Sequence, residues 1–363
     1  MKQKIIIFFF SCFLNCVYAQ VPKKTNTIQK KEPNTRIKDS RSNQSNKSTS
    51  NKNIKNLDAK IEDYLIVSHK RDSVAVDTTL TFKKEYKFNY LRKDNFELMP
   101  FSNVGQTYNA LGYSFQNNNL MPEFGARARH FNYMEIEDIN YYHVPTPLTE
   151  LYFKTAFEQG QQLDAFFTVN TSPQFNFSVA YKGLRSLGKY QHILTSTGNF
   201  RFTSSYKTKN NRYVANAHIT MQDLFNEENG GIKDDNVIYF ESGHPEFKDR
   251  GVLEVNFEDA DNILKGKRFH LDHFFNIKQP KDSLSINTLS VGHVVSFEDK
   301  YYQFNQDVAN NYFGDAIKTN NLSKRVTLEN LYNKLYLNYM NKNIGELQFN
   351  VSHNNYNYGY NKV

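Results

Sequence analysis

The feature that most constrains this chain is a period-two alternation of apolar and polar residues that recurs after Pro147. Between Thr149 and Phe157, Leu151, Phe153 and Phe157 fall on one side with Thr155, and Glu150, Tyr152, Lys154 and Ala156 on the other. Gly160 allows a turn. Gln162 to Asn170 then repeats the pattern: Leu163, Ala165, Phe167 and Val169 oppose Gln162, Asp164, Thr168 and Asn170, with Phe166 out of place on the polar side. After a turn at Thr171-Ser172-Pro173-Gln174, Phe175, Phe177, Val179 and Tyr181 alternate with Asn176, Ser178, Ala180 and Lys182. Similar runs follow at 213–222, at 268–276 (where His273 shares the apolar side) and at 346–352. Successive strand side chains point to opposite faces, so each segment predicts a strand with one apolar and one polar face.

These segments are close to the roughly 9–11 residues that a tilted transmembrane strand needs, and turns alternate with longer polar loops such as 223–233. A soluble antiparallel sandwich also alternates. The export signal favours a membrane barrel. Lys2 and Lys4 precede an apolar run, Ile5 to Leu14, too short to span a bilayer, and Val17-Tyr18-Ala19 supplies small residues before a cleavage between Ala19 and Gln20. Both cysteines, Cys12 and Cys16, lie in this leader, so a cleaved chain has no thiol or disulfide chemistry. No later stretch approaches the length of a membrane helix. The expected fold is therefore all-β, an antiparallel transmembrane barrel that closes its own backbone hydrogen bonds.

The organisation follows from composition. Residues 1–19 are the leader. Residues 20–56, rich in Lys, Asn, Ser and Thr, read as a disordered basic linker. Residues 57–147 mix strand-like pieces such as Val74 to Phe82 with polar stretches such as Gln116 to Asn119, and suit a periplasmic module, a plug or first barrel strands. Residues 148–363 are the barrel. The formal charge of +8 misleads. Ten Lys/Arg against Glu32 and Asp39 place +8 in residues 21–56, the leader adds +2, and the rest carries −2. That distribution excludes a basic nucleic-acid-binding body; no nucleic-acid partner is expected.

Catalytic motifs are missing: the sequence has no nucleophile elbow, HExxH or P-loop, and no catalytic, cofactor or metal residues are assigned. His270 and His273, three apart on a strand, point to opposite faces and cannot share an ion. Asp223, Glu227, Glu228, Asp234 and Asp235 surround Gly230-Gly231; they suit a calcium loop or, better, a solvated extracellular loop. The polar face is the more useful candidate. Glu150, Lys154, Asp164, Lys182, Asn216 and His218 are predicted to face the lumen, where they set ion selectivity or hydrogen-bond within a closed barrel.

Three runs carry a resemblance: DNFELMPFSNVGQTYN (Asp94 to Asn109), PTPLTELYFKTAFEQGQQLDAFFTVN (Pro145 to Asn170) and YKGLRSLGKY (Tyr181 to Tyr190). Together they resemble the "putative porin" family of Bacteroidetes, from about Asp77 to the end. The resemblance implies a barrel in the bacterial outer membrane, in contact with its lipid, passing small hydrophilic solutes by passive diffusion. The alternative is a plugged or closed barrel acting as a receptor or structural partner. Neither is an enzyme, and no cofactor is implied. Porins are often trimers, but no interface is legible here. Pro145-Thr146-Pro147 fits the start of the first barrel strand, and Gly183 and Gly188 fit tight backbone in a connection around Arg185, whose expected role is a structural hydrogen bond. Family members are typically longer, and barrels of this kind end on a terminal aromatic. The chain ends on Val363 instead, so an N-terminal fragment with an incomplete barrel and an unpaired edge is expected.

Single-cysteine labelling checks the register. A water-soluble maleimide should modify Asp164→Cys and spare Leu163→Cys; the reverse result would exclude the strand facing given above.

Overall fold

The computed structural model of the chain describes residues 59–79, 81–113, 124–156, 160–279, 287–315 and 321–362. The leader, its cleavage site, the basic segment and Gln116–Asn119 lie outside the described residues.

Nine strands form one antiparallel sheet in which each strand pairs with its chain neighbour: β6 (Leu148–Ala156), β7 (Gly160–Ser172), β8 (Phe175–Ser186), β9 (Thr195–Lys207), β10 (Tyr213–Glu228), β11 (Ala260–Lys278), β12 (Asn287–Gln306), β13 (Leu322–Asn341) and β14 (Gly345–Lys362). The two outermost strands, β6 and β14, do not pair, so the barrel wall is not closed. Before the wall, β1 (Leu65–Val67), β2 (Ser73–Ala75) and β5 (Tyr141–His143) make a small sheet in the order β2-β1-β5, and β3 (Leu98–Pro100) pairs with β4 (Tyr108–Ala110). Helix α1 (Asp234–Glu241) sits in the long connection between β10 and β11. Among the described residues no helix is long and apolar enough to cross a membrane.

The alternation sets the two faces of the wall. On one face the apolar side chains are bare: Leu151 is 70% exposed, Phe153 59%, Leu335 59% and Phe349 68%. On the other face polar side chains are buried: Thr168, Asn199, Thr220 and Asn226 have no exposed surface, and Arg268 keeps 2%. A water-soluble sheet does the opposite, because burying polar groups costs free energy unless they find partners, and exposing apolar surface forgoes about 25 cal/mol per Å². On this wall part of the matching comes from residues 60–147, which lie against the polar face and bind Arg268; Thr168 bonds Asn176 within the wall, and the side chains of Asn199, Thr220 and Asn226 hydrogen-bond nothing among the described residues.

Most connections alternate in length, the exceptions by strand bounds being 157–159 and 279–286. Pro173-Gln174, 208–212 and 342–344 are short; 187–194, 229–259 and 307–321, at the opposite end, are longer. Asn211 takes a left-handed conformation (φ 52°) in the 208–212 turn, which asparagine accepts more readily than most residues. On the bare face Tyr181 lies over the cross-strand glycine pair Gly183 and Gly198, covering backbone that would otherwise be stripped of side chain.

Several expectations change. The strands of the wall run to 20 residues in β12 and β13, well beyond a bilayer crossing. Asp223 to Glu228 is the end of β10, not a loop. Polarity misled there because Asn226 and Glu228 continue the covered face, where polar residues belong in the strand. The strand within Val74 to Phe82 shrinks to Ser73–Ala75, and a 3-10 turn starts at Phe82. Gly183 lies inside β8; only Gly188 (φ 76°) serves the connection that follows. Arg185 is exposed at the end of β8, and its guanidinium has no hydrogen-bond or ion-pair partner among the described residues.

Close approach of the two parts depends on Gly266 in β11. A methyl group there would fall 2.1 Å from the Tyr133 hydroxyl and 2.8 Å from its ring carbons, and Tyr133 is itself 2% exposed. Gly266→Ala should therefore lower the stability of the folded protein by about 1–3 kcal/mol, read as a reduced urea midpoint in detergent. An unchanged midpoint would mean that Tyr133 is free to move aside.

Candidate functional site: the covered polar face

The polar face of the wall meets residues 60–147 through several charged contacts, among them Arg129, which donates to the Leu224 carbonyl at 2.9 Å, and three larger groupings. The central one is built on Arg268 of β11, whose side chain is 1% exposed. Its guanidinium lies 3.3 Å from Glu135 and 3.2 Å from Glu298, donates to the Met134 carbonyl at 2.7 Å and reaches the His218 ring at 3.4 Å. Lys300, one register step along β12, approaches the same two carboxylates at 3.6 and 3.5 Å. Tyr133 donates to Glu298 at 2.9 Å. Gln222 clamps Met134, accepting from its N–H at 2.7 Å and donating to its carbonyl at 2.9 Å. A buried cation is tolerable only when paired and hydrogen-bonded on every side, and each side of Arg268 is filled. His130, close by, is held neutral: burial, aided by the Lys300 charge, pushes it down to about 4.

At the short-turn end, Arg71 reaches from the β1–β2 turn to Asp272 (2.6 Å) and to the Tyr336 hydroxyl, and lies over the Phe274 ring at 4.2 Å. Arg71 adopts a left-handed backbone (φ 72°) to do so. Near the longer loops, the run FSNVGQTYN supplies a loop, 101–107, that docks on β8 and β9. Asn103 donates to the carbonyls of Ser186 (3.1 Å) and Ile193 (2.8 Å), and Thr195 donates to the Val104 carbonyl at 2.7 Å. Gly105 (φ 86°) lets this loop turn directly above Leu184, which a Cβ would strike at 2.3 Å.

The third charged contact surrounds a cleft of about 720 Å³ between residues 66–142 and strands β6 to β9. Arg92 pairs with Glu150 at 2.6 Å and Arg201 with Asp164 at 3.2 Å. Tyr152 and Lys154 both donate to the Phe88 carbonyl, at 2.9 and 3.2 Å. Lys182 is 3% exposed and lies 4.5 Å from the centre of the Tyr90 ring. Burial pushes the Tyr90 hydroxyl up to about 12, although its hydrogen bond with Thr197 (2.7 Å) opposes the shift.

All six residues assigned from alternation stand on this covered face, but they do not form one site. Glu150, Asp164 and Lys182 line the cleft, with Lys154 at its edge. His218 belongs to the Arg268 cluster: it accepts or donates to the Tyr141 hydroxyl at 2.9 Å and stacks on His270 at 4.9 Å. Asn216 accepts from Ser205 at 2.8 Å, away from both. Phe166, out of place in the alternation, packs its ring 4.4 Å from Tyr142. His270 and His273 point apart; His273 instead approaches His293 at 3.2 Å on the bare face. The acidic set also disperses. Asp223 pairs with Lys265 at 3.1 Å, Glu227 accepts from the Leu194 N–H, Glu228 bonds Asn262, and Asp234 and Asp235 open α1. Among the described residues no three His, Cys, Asp or Glu side chains are grouped to hold a metal.

Sequence reasoning missed Arg268, Glu298, Lys300, Glu135 and Gln222. Arg268 and Gln222 were visible as members of the polar parity of β11 and β10. Glu135 carried no periodic signal, because it lies in irregular backbone. Replacing Arg268 with Met leaves the largely buried Glu298 and the part-exposed Glu135 with Lys300 as their remaining cation, and strips the Met134 carbonyl and the His218 ring of a donor. The expected loss is about 3–5 kcal/mol, seen as protease cleavage within residues 60–147 at concentrations that leave the wild type intact. Arg268→Lys should fall between the two, because a compact ammonium cannot reach acceptors placed around three separate nitrogens of a planar guanidinium.

The family model described as "Putative porin" matches residues 60–363, which takes in both the wall and the residues that cover it. No curated protein and no solved structure matches the chain. With an antiparallel barrel wall, apolar outside and polar on its covered side, and a family match across most of its length, the chain belongs to this porin family.

Proposed function

We propose that this protein is a channel of the bacterial outer membrane through which small hydrophilic solutes diffuse passively, in a lumen narrowed by its own residues 60–147. The observation that carries the reading is the inverted wall. Its bare face presents Leu, Phe, Val and Tyr side chains suited to lipid, and its covered face presents Asn, Thr, Ser, Lys and Arg suited to water. The covered face also keeps polar atoms without protein partners, including both side-chain amide atoms of Asn199 and of Asn226, as a hydrated interior allows. In this reading the leader directs export and is cut between Ala19 and Gln20, residues 20–56 are a linker, and residues 57–147 are an internal plug. The side chains bind, orient and filter solutes and carry out no covalent chemistry. Glu150, Lys154, Asp164, Lys182, Asn216 and His218 face the lumen, and mixed charge there sets ion preference.

A second reading has its own support. Arg268, 1% exposed and bound by two carboxylates and a carbonyl, fixes residues 133–135 to the wall, as expected of a closed barrel that serves as a receptor or structural partner. Conductance separates the two. Native protein extracted from its outer membrane and inserted into planar bilayers should give discrete, long-lived current steps. Silence from a preparation that is demonstrably folded would end the passive-channel reading in favour of the closed barrel.

A further inference from the structure

We propose that the cleft between residues 66–142 and strands β6 to β9 binds an oxyanion-bearing solute, a small carboxylate or phosphate, with the Lys182 ammonium as its central contact. The inference deepens the channel reading by naming a solute class.

The case starts from pairing. Removing a cation from water costs several kcal/mol unless an anion or a full set of acceptors replaces the water. Lys182 is 3% exposed, yet among the described residues no carboxylate comes within 4.0 Å of its ammonium and no acceptor hydrogen-bonds it; the Tyr90 ring, 4.5 Å away, is its one favourable contact. Asp164, its partner across the β7–β8 ladder, is committed to Arg201 at 3.2 Å. Arg92 repeats the pattern from the opposite wall of the cleft. One terminal nitrogen holds Glu150 at 2.6 Å, while the other, Nη1, is buried and has no hydrogen-bond partner among the described residues.

Of the other carboxylates that line the cleft, Glu137 is exposed and two are paired with lysines. The Asp77 carboxylate is taken by Lys84 at 2.8 Å, and Asp138 by Lys93 at 3.5 Å. Lys182 therefore lies in a field to which Arg201, Lys93 and Arg92 contribute, with Asp164 as its main acidic counterweight. The cleft that these groups line, about 720 Å³, falls in the range of about 300–1,000 Å³ typical of small-molecule sites. An unpaired ammonium lining this space, with the Arg92 and Arg201 guanidinium groups beside it, suits a ligand with two or three acceptor oxygens, because charge-assisted bonds to carboxylate or phosphate are the strongest such donors make. A neutral sugar would leave the ammonium without a counter-ion.

Binding is measurable without conductance. Isothermal titration of inorganic phosphate and, separately, of acetate into the folded protein in detergent should give saturable heat with at least one probe; which of them responds identifies the oxyanion. Lys182→Met should weaken that binding about tenfold or more. Lys182→Arg should retain it, and Lys267→Met, on the bare face, should leave it unchanged. Should Lys182→Met lose the heat-modifiable gel shift of a folded barrel, Arg92→Gln, at the mouth of the cleft, takes its place, with a several-fold loss expected. No saturable heat with either probe, or unchanged affinity in the folded cleft variant, would overturn the site. Saturable heat from a protein that is silent in bilayers would retire the passive channel and keep the site.

Discussion

The structure depends on one constraint: a sheet whose polar face is buried must find partners for its charged groups, even where neutral amides such as those of Asn199 and Asn226 find none among the described residues. A conventional core is forgiving, because apolar side chains of about the right volume pack in many ways. A buried polar face is not, since each unpaired donor or acceptor costs about 1–3 kcal/mol. Here the matching falls to residues 60–147, which have little regular structure of their own. Their backbone carbonyls and side-chain amides are what the wall needs. Met134 is held at both its N–H and its carbonyl by Gln222, and Asn103 bridges the ends of β8 and β9. Irregular backbone, a liability elsewhere, here supplies polar groups at positions that a helix or strand would have used internally.

The same constraint orders the contacts by strength. The Arg268 cluster sits where water is most fully excluded, with four polar partners and carboxylates shared with Lys300. Breaking it exposes several charges at once. Arg71 is held more loosely, with its side chain 35% exposed, although the Phe274 face and the Asp272 carboxylate grip it together. Apolar contact is confined to small patches between these points. Phe124 and Tyr133 meet Leu224, Leu264 and Val326 in one patch, and Tyr90, Leu91 and Tyr108 meet Leu184 in another. The apolar residues of the covered face stand where the covering residues bring rings of their own.

Much of this was legible in the sequence, and the divide follows the physics of periodicity. Strand faces in β6, β7, β8, β10 and β11 could be read because side-chain direction repeats every two residues whatever lies above the sheet. The violation at Phe166 was visible too, but its meaning required Tyr142, whose position no periodicity encodes. Loop boundaries failed at Asp223 to Glu228 for the converse reason. Polarity signals a loop only when strands bury apolar side chains, and this wall buries Asn226. The run FSNVGQTYN stood out as a motif without a role, since its Asn103 acts on the carbonyls of Ser186 and Ile193, more than eighty residues away.

The graded contacts bear on where a solute could pass. An ion pair with an exposed partner contributes about 0–1 kcal/mol, whereas a buried, multiply bonded cation resists removal. On the cleft side, Glu150 of β6 is 61% exposed where it meets Arg92. The covering residues are thus held firmly along β10 to β12 and weakly beside β6. Motion that costs little would open the weak side first, widening a cleft whose floor already carries Lys182, Asp164 and Arg201. A path there would pass over charged groups held by neighbouring strands, while the Arg268 cluster kept the rest of the covering region in place. Retention and passage need not compete, because the two demands fall on different strands of the same wall.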